Sequence, residues 1–137
     1  MTPGLGRPSS GVNLQFAGWT LLYLAGLYGL SSLPDQPVRH AHAWVEVLSN
    51  LAHAPVFAGL AVLVLKTLSG RHGVPNRYVA AFAVTVVCGV LDEAHQSFVP
   101  GRTVSAGDLA LDLAGSACAL LIVRARRFSV GAGCEAK

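Results

Sequence analysis

Apolar residues fall in four long stretches, separated by short polar segments that contain glycine and proline. The stretches cover residues 12–32, a segment that ends near Leu68, residues 78–96 and residues 108–123. A helix needs about 20 predominantly apolar residues to cross the hydrocarbon core of a bilayer. The pattern therefore predicts four helices of roughly membrane-spanning length.

The polar positions that precede the second apolar stretch follow a helical period. Between residues 38 and 53, one face of the predicted helix carries His42, Glu46, Ser49, Asn50 and His53. Such a stripe is typical of a helix whose other face meets apolar surroundings. Pro55 lacks a backbone donor and favours a kink where the apolar stretch begins. We expect either one long helix or an interfacial helix that runs into the second span.

The composition leaves room for little besides these helices. Of the 137 residues, 53% are hydrophobic, and the polar residues concentrate at the two ends and between the apolar stretches. The predicted fold class is all-α, an integral membrane bundle of four transmembrane helices. We predict a disordered tail over residues 1–11, the membrane domain over residues 12–127 and a second disordered tail over residues 128–137.

The basic residues predict the orientation of this bundle. In a four-span arrangement, only Arg39 and Arg102 of the ten basic residues fall on one side. The remaining basic residues fall on the other side: Arg7, Lys66, Arg71, Arg77, Arg124, Arg126, Arg127 and Lys137. Cytoplasmic loops carry the excess of Lys and Arg, so both termini are predicted to be cytoplasmic. The net charge of +3 includes no basic run with interleaved aromatics, so the expected partner is the bilayer and not nucleic acid.

Ionisable and amide side chains gather at the predicted outer ends of the second, third and fourth spans. They are His53, Asp92, Glu93, His95, Gln96, Arg102, Asp108 and Asp112. Asp92, His95 and Gln96 are spaced i, i+3, i+4 and are predicted to share a helix face. In the fourth span, Asp108 and Asp112 continue into Gly115 and Ala119, and such small residues let helices approach closely.

This cluster has two interpretations. Four carboxylates near a bilayer cannot all stay charged, so some must be protonated, or Arg102 or a metal ion must neutralise them. In an enzymatic interpretation, Glu93 or Asp112 is the base and His95 the acid or orienting group. The predicted substrate-binding residues are Arg102, Gln96, His53, Asp92 and Asp108, with Arg102 suited to a phosphate. An ion-pair network that only pins the outer loop has the same composition, so both interpretations stay open.

No resident cofactor is predicted. His53, His95, Glu93 and Asp112 carry nitrogen and oxygen atoms that suit a divalent ion, which keeps a metal as the alternative. However, no spacing in the chain matches HExxH or another standard zinc pattern.

The polar segment resembles the VanZ-like family. Residues 92–102 read DEAHQSFVPGR, and Ser105, Asp108, Asp112 and Gly115 follow. The family pattern is D-E-x-x-Q-x-F-x-P-G-R, then S-x-x-D-x-x-x-N-x-x-G. Two weaker features agree, since Ser31 and Ser32 precede Pro34, and His53 precedes Phe57 in the family's H-x-x-x-Y/F pattern.

Two positions depart from the family pattern. The usual Asp-Lys before the histidine is replaced by Ser49 and Asn50, and the usual Asn of the last span is Asp112. The aspartate at position 112 adds a negative charge to this cluster, and any role of the absent lysine does not carry over.

The resemblance implies a small multi-pass protein of the bacterial cytoplasmic membrane, related to a protein associated with teicoplanin resistance. With the cluster facing outward, our first hypothesis is a cell-envelope protein that binds or modifies an envelope lipid or lipid-linked glycan. The alternative is a non-catalytic membrane protein whose motif clasps the outer loop. A small transporter is less favoured, because the ionisable residues stop in the outer third of the predicted spans. Whether the protein is an enzyme stays open.

Overall fold

The computed structural model describes residues 12–34, 51–70, 76–102 and 104–134. It contains helix α1 (Leu14–Ser31), helix α2 (His53–Thr67), a short 3-10 turn (Leu68–Gly70), helix α3 (Arg77–Gln96) and helix α4 (Ala106–Cys134). The regular structure in these ranges is entirely helical, which confirms the predicted all-α class. Residues 1–11 and most of the predicted amphipathic segment 38–53 lie outside the described residues.

The four helices alternate in direction. At one end of the bundle, the amide of Asn13 before α1 donates to the carbonyl of Thr67 at the end of α2, at 2.9 Å. At the other end, the side chains of Ser32 and His95 join the ends of α1 and α3. His53 at the start of α2 meets Asp112 near the start of α4. The polar cluster therefore lies at the end where α1 and α3 finish and where α2 and α4 begin.

Helix α2 lies at the centre of the bundle and packs against the other three helices. Its apolar positions recur at helical spacing and form most of the buried core, and the core residues are Phe57, Leu60, Ala61, Val64, Leu65, Ala81 and Leu120. This core fills the middle of the bundle, between the polar cluster at one end and the opposite end.

A glycine allows the closest helix contact. A Cβ atom added at Gly115 on α4 would collide with the backbone of Ala54 on α2, including its carbonyl oxygen. The next residue on α4 is Ser116, and its hydroxyl donates to the carbonyl of Phe57, one turn along α2 from Ala54, at 3.2 Å. Close approach through a small residue, reinforced by an interhelical hydrogen bond, is the usual way in which membrane helices associate.

Two of the described helical segments are long and apolar enough to cross a membrane, Arg77–Gln96 and Ala106–Arg127. Helix α2 is apolar but has only 15 residues. Many large apolar side chains point away from the bundle, such as Leu21 at 68% exposure and Leu121 at 64%. These features indicate a membrane protein. Four spans and the orientation of the termini stay predictions.

The last helix differs in extent from the predicted fourth span. The sequence pattern placed its end at Val123, before an arginine cluster, and a tail from residue 128. The helical backbone instead begins at Ala106 and continues through Cys134. Arginine has a favourable helix propensity, so an arginine cluster can end an apolar stretch without ending the helix.

Candidate functional site

The polar end of the bundle brings together side chains from three helices and the loop between α3 and α4. Asp92, Glu93, Gln96, Asp108 and Asp112 are buried. His53, His95 and Arg102 are partly buried. All eight residues that the sequence singled out therefore lie at one end, but they form separate hydrogen-bonded groups.

The first group joins α2 to α4. His53 Nδ1 lies 3.1 Å from Asp112 Oδ1, and Asp112 is only 1% exposed. A carboxylate accepts from Nδ1–H, which fixes the ring and leaves Nε2 as the acceptor of the neutral imidazole. Asp92 and Asp108 lie close enough to interact electrostatically with the same histidine. His53 thus stands at the centre of the acidic cluster, although the sequence assigned it only a binding role.

The second group holds the loop. The Ser105 amide donates to Glu93 Oε2 at 2.9 Å, and the Ser105 hydroxyl in turn accepts from the Asp108 amide at 3.2 Å. Ser105 is thereby the N-cap of α4, and Glu93 on α3 anchors this cap. The turn between them includes Gly101 with φ at 81°, a conformation that only glycine adopts without strain. Glu93 therefore determines where α4 begins relative to α3.

The third group lies within α3. Gln96 Nε2 donates to Asp92 Oδ2 at 2.8 Å, across one helical turn. The predicted common face of Asp92 and Gln96 is present. His95 turns instead toward α1, where its Nε2 lies 2.9 Å from Ser32 Oγ and its ring packs at 4.5 Å from the ring of Tyr28. The three candidate catalytic residues Glu93, His95 and Asp112 thus contact three different partners, which are Ser105, Ser32 and His53, respectively.

A cavity of about 220 Å³ opens beside these groups. Its polar wall consists of Ser31, His53, Asp92, Gln96 and Arg102. The remaining wall is apolar and consists of Leu27, Leu30, Leu33, Ala52, Val56 and Phe57. Of the eight predicted residues, His53, Asp92, Gln96 and Arg102 line this cavity.

Several buried polar atoms at this end have no hydrogen-bond partner among the described residues. They include Arg102 Nε, Gln96 Oε1 and Ser31 Oγ, whose residues line the cavity, and also Glu93 Oε1 and Asp112 Oδ2. A buried polar atom without a partner costs about 1–3 kcal/mol. Within the described ranges, Arg102 forms no ion pair with the carboxylates that it was expected to neutralise. The cavity therefore offers both donors and acceptors to a ligand.

The described residues include no group of three or more His, Cys, Asp and Glu side chains placed to hold a metal ion. The potential ligands His53, His95, Glu93 and Asp112 are divided among the groups described above.

Sequence reasoning missed several serine residues at this end of the bundle. Ser116 is fully buried and joins α4 to α2, and Ser31 lines the cavity at the end of α1. A signal for Ser116 existed, because it lies four residues after Asp112 on the same helix face. Ser31 and Ser32 were noted only as part of a family pattern, since nothing in their spacing relates α1 to α3.

The described helices form an all-helical bundle with a polar, partly buried pocket at one end, and two helical segments are long and apolar enough to cross a membrane. A model of the VanZ/LLP1 family matches residues 8–127, and the chain belongs to that family. This match confirms the resemblance drawn from the segment at residues 92–102. No curated protein and no solved structure matches the chain.

Proposed function

We propose that this protein binds the anionic headgroup of an envelope lipid or lipid-linked glycan in the cavity at the polar end of the bundle. The observation that carries the proposal is the buried Nε of Arg102, which has no partner in the described part of the chain and belongs to a residue lining a cavity with one polar and one apolar wall. A guanidinium suits a phosphate, and an apolar wall suits the hydrocarbon next to a headgroup. An amphipathic anion satisfies both walls at once.

The other polar groups at the cavity complement such a headgroup. Gln96 and Ser31 present an acceptor and a hydroxyl that suit a glycerol or sugar hydroxyl. Asp92 repels a bare anion but accepts from ligand hydroxyls, which favours a headgroup that carries both a phosphate and hydroxyls. Asp108 and Glu93 hold the start of α4 and support the binding residues without lining the cavity.

The distribution of basic residues bears on which side of the membrane the cavity faces. Arg77 and Lys66 lie at the end of the bundle opposite the cavity, as do the arginines near the end of the apolar part of α4. If this basic end is cytoplasmic, the cavity faces the outside of the bacterial cytoplasmic membrane. A protein that occupies or shields an envelope lipid there has a direct route to an effect on glycopeptides such as teicoplanin, which act outside the membrane.

The test compares wild type with Arg102→Gln and with Arg77→Gln. Arg77→Gln removes the same charge at the opposite end and serves as the matched control. Each protein is purified in mild detergent and the retained lipids are identified by mass spectrometry. We expect one anionic or lipid-linked species in wild type and Arg77→Gln that is lost in Arg102→Gln. Identical bulk lipids in all three proteins, with unchanged thermal unfolding, would contradict the proposal.

A catalytic version of the proposal rests on His53. Its ring is oriented by Asp112, and it lines the cavity, whereas Glu93 and His95 do not. In this version His53 is the general base and Asp112 the positioning residue. A His53→Gln variant that accumulates more of the retained lipid than wild type would support turnover. Unchanged occupancy would support binding alone.

A second candidate function is a purely structural clasp, which the bond between Glu93 and Ser105 favours. It predicts that Arg102→Gln changes neither the retained lipids nor the stability, whereas Glu93→Ala loosens the loop. Transport is less favoured, because the buried residues Phe57, Leu60 and Ala61 close the bundle next to the polar cluster.

A further inference from the structure

A second, apolar groove runs along the outside of α1 and α2. It has a volume of about 490 Å³ and includes Trp19, Tyr23, Gly26 and Leu63 in its lining. Its one phenol is already satisfied, because the Tyr23 hydroxyl donates to the Val56 carbonyl at 2.8 Å. The groove therefore offers mainly hydrocarbon surface, and the indole N–H of Trp19 is a further polar group among the side chains that line it.

This groove adjoins the polar cavity. Leu27, Leu30 and Val56 line both. An elongated molecule that runs past these shared side chains would place a polar end beside Arg102 and an apolar end in the groove.

The length of the groove matches one leaflet of a bilayer. Trp19 at its far end and Leu30 at the cavity are eleven residues apart on α1, which is about 17 Å along a helix axis. Half of the hydrocarbon core is about 15 Å. A hydrocarbon chain attached to a headgroup at the polar end would reach Trp19 when extended along the helix.

We infer that the groove between α1 and α2 holds one hydrocarbon chain of the same membrane lipid whose anionic headgroup occupies the cavity. The inference rests on the proposed function, since the headgroup at Arg102 sets the position of the chain. Lipid tails are as apolar as the side chains of the groove, so the groove selects by shape and position more than by hydrophobic free energy. The hydrocarbon chain of the lipid therefore contributes mainly to the position of the bound lipid, and the headgroup contributes most of the affinity.

Gly26 provides a variant that blocks the groove without disturbing the bundle. A Cβ atom added at Gly26 meets no atom within 4 Å, so a larger side chain there occupies the groove itself. Gly29 is also open, with nothing within 4 Å, but does not line the groove. Gly26→Leu and Gly29→Leu are therefore a matched pair on the same helix.

The experiment uses Trp19 fluorescence and bromine quenching. Trp44→Phe leaves Trp19 as the only tryptophan, and circular dichroism checks that the helices are retained. The protein is placed in phosphatidylcholine bilayers that contain a small fraction of brominated phosphatidylglycerol, with brominated phosphatidylcholine at the same fraction as reference. We expect excess quenching by the anionic lipid, and more quenching by bromines near the methyl end of the chain than by bromines near the headgroup.

Three variants test whether the excess quenching comes from a lipid chain in the groove. Gly26→Leu and Arg102→Gln should each reduce the excess quenching to the level of the zwitterionic reference, and Gly29→Leu should leave it unchanged. Loss of retained anionic lipid in Arg102→Gln without any excess quenching in wild type would overturn the groove while keeping the headgroup site. Excess quenching that survives Gly26→Leu would also overturn the groove. Absence of both signals would contradict the proposed function itself.

Discussion

His53 Nδ1 on α2 lies 3.1 Å from Asp112 Oδ1 on α4, so the two helices that pack most closely are also joined by a partly buried hydrogen bond. Gly115 makes this bond geometrically accessible, because its missing side chain lets α4 approach the backbone of Ala54. The close packing at Gly115 brings the imidazole of His53 to the carboxylate of Asp112. The hydrogen bond then fixes the orientation of the His53 ring, which lines the cavity.

The first prediction concerns Asp112. Asp112→Asn should fold with nearly wild-type stability, because an amide oxygen still accepts from His53 Nδ1–H, and the family pattern carries Asn at this position. Asp112→Leu should lower the free energy of unfolding by about 1–3 kcal/mol, since it leaves Nδ1 without a partner. Thermal unfolding in detergent measures both variants. Equal stability of Asp112→Leu and wild type would show that the bond does not stabilise the bundle.

The second prediction concerns the anchor at Glu93. Glu93→Ala should increase hydrogen exchange at the Ser105 and Asp108 amides by about tenfold, which corresponds to one lost charge-assisted hydrogen bond of about 1.4 kcal/mol. Glu93→Gln retains an acceptor and should preserve most of the protection. The amides of Val79 and Ala80 at the opposite end of α3 serve as the internal reference. Unchanged exchange at Ser105 in Glu93→Ala would exclude the anchoring role.

The third prediction concerns helix packing. Gly115→Ala should destabilise the bundle by about 1–3 kcal/mol, because the added methyl group forces α4 away from Ala54. Gly18→Ala is the control, since its Cβ meets nothing within 4 Å and alanine favours a helix by up to about 1 kcal/mol over glycine. Chemical or thermal unfolding of the two variants should move in opposite directions. Destabilisation of the same size in both would contradict the close-packing explanation.

Much of this architecture could be predicted from the sequence. The four apolar stretches correspond to the four described helices, and α3 ends at Gln96, as its pattern predicted. The i, i+4 spacing correctly placed Asp92 beside Gln96 and Asp108 on the same face as Asp112. These successes have one cause, since periodicity within a single helix is a local property that the sequence encodes directly.

The pairing between helices could not be predicted in the same way. His53 and Asp112 are 59 residues apart, and their contact depends on the rotation of α2 against α4, which spacing does not report. His95 follows Asp92 by three residues but turns to Ser32 on α1. Glu93 was considered a base because of its charge, whereas its contact with the Ser105 amide depends on the path of a loop. Assigning roles therefore required the packing of all four helices.

The most direct measurement of the central claim is the Nε–H resonance of Arg102 in ¹⁵N-labelled protein, identified by its absence in Arg102→Lys. Phosphatidylglycerol should shift this resonance in a saturable manner, because the buried Nε gains a phosphate partner, and phosphatidylcholine added to the same level should not. The Arg77 resonance at the opposite end should respond to neither lipid. An Arg102 resonance that is unmoved by phosphatidylglycerol, or that moves equally with both lipids, would contradict an anionic headgroup site in this cavity.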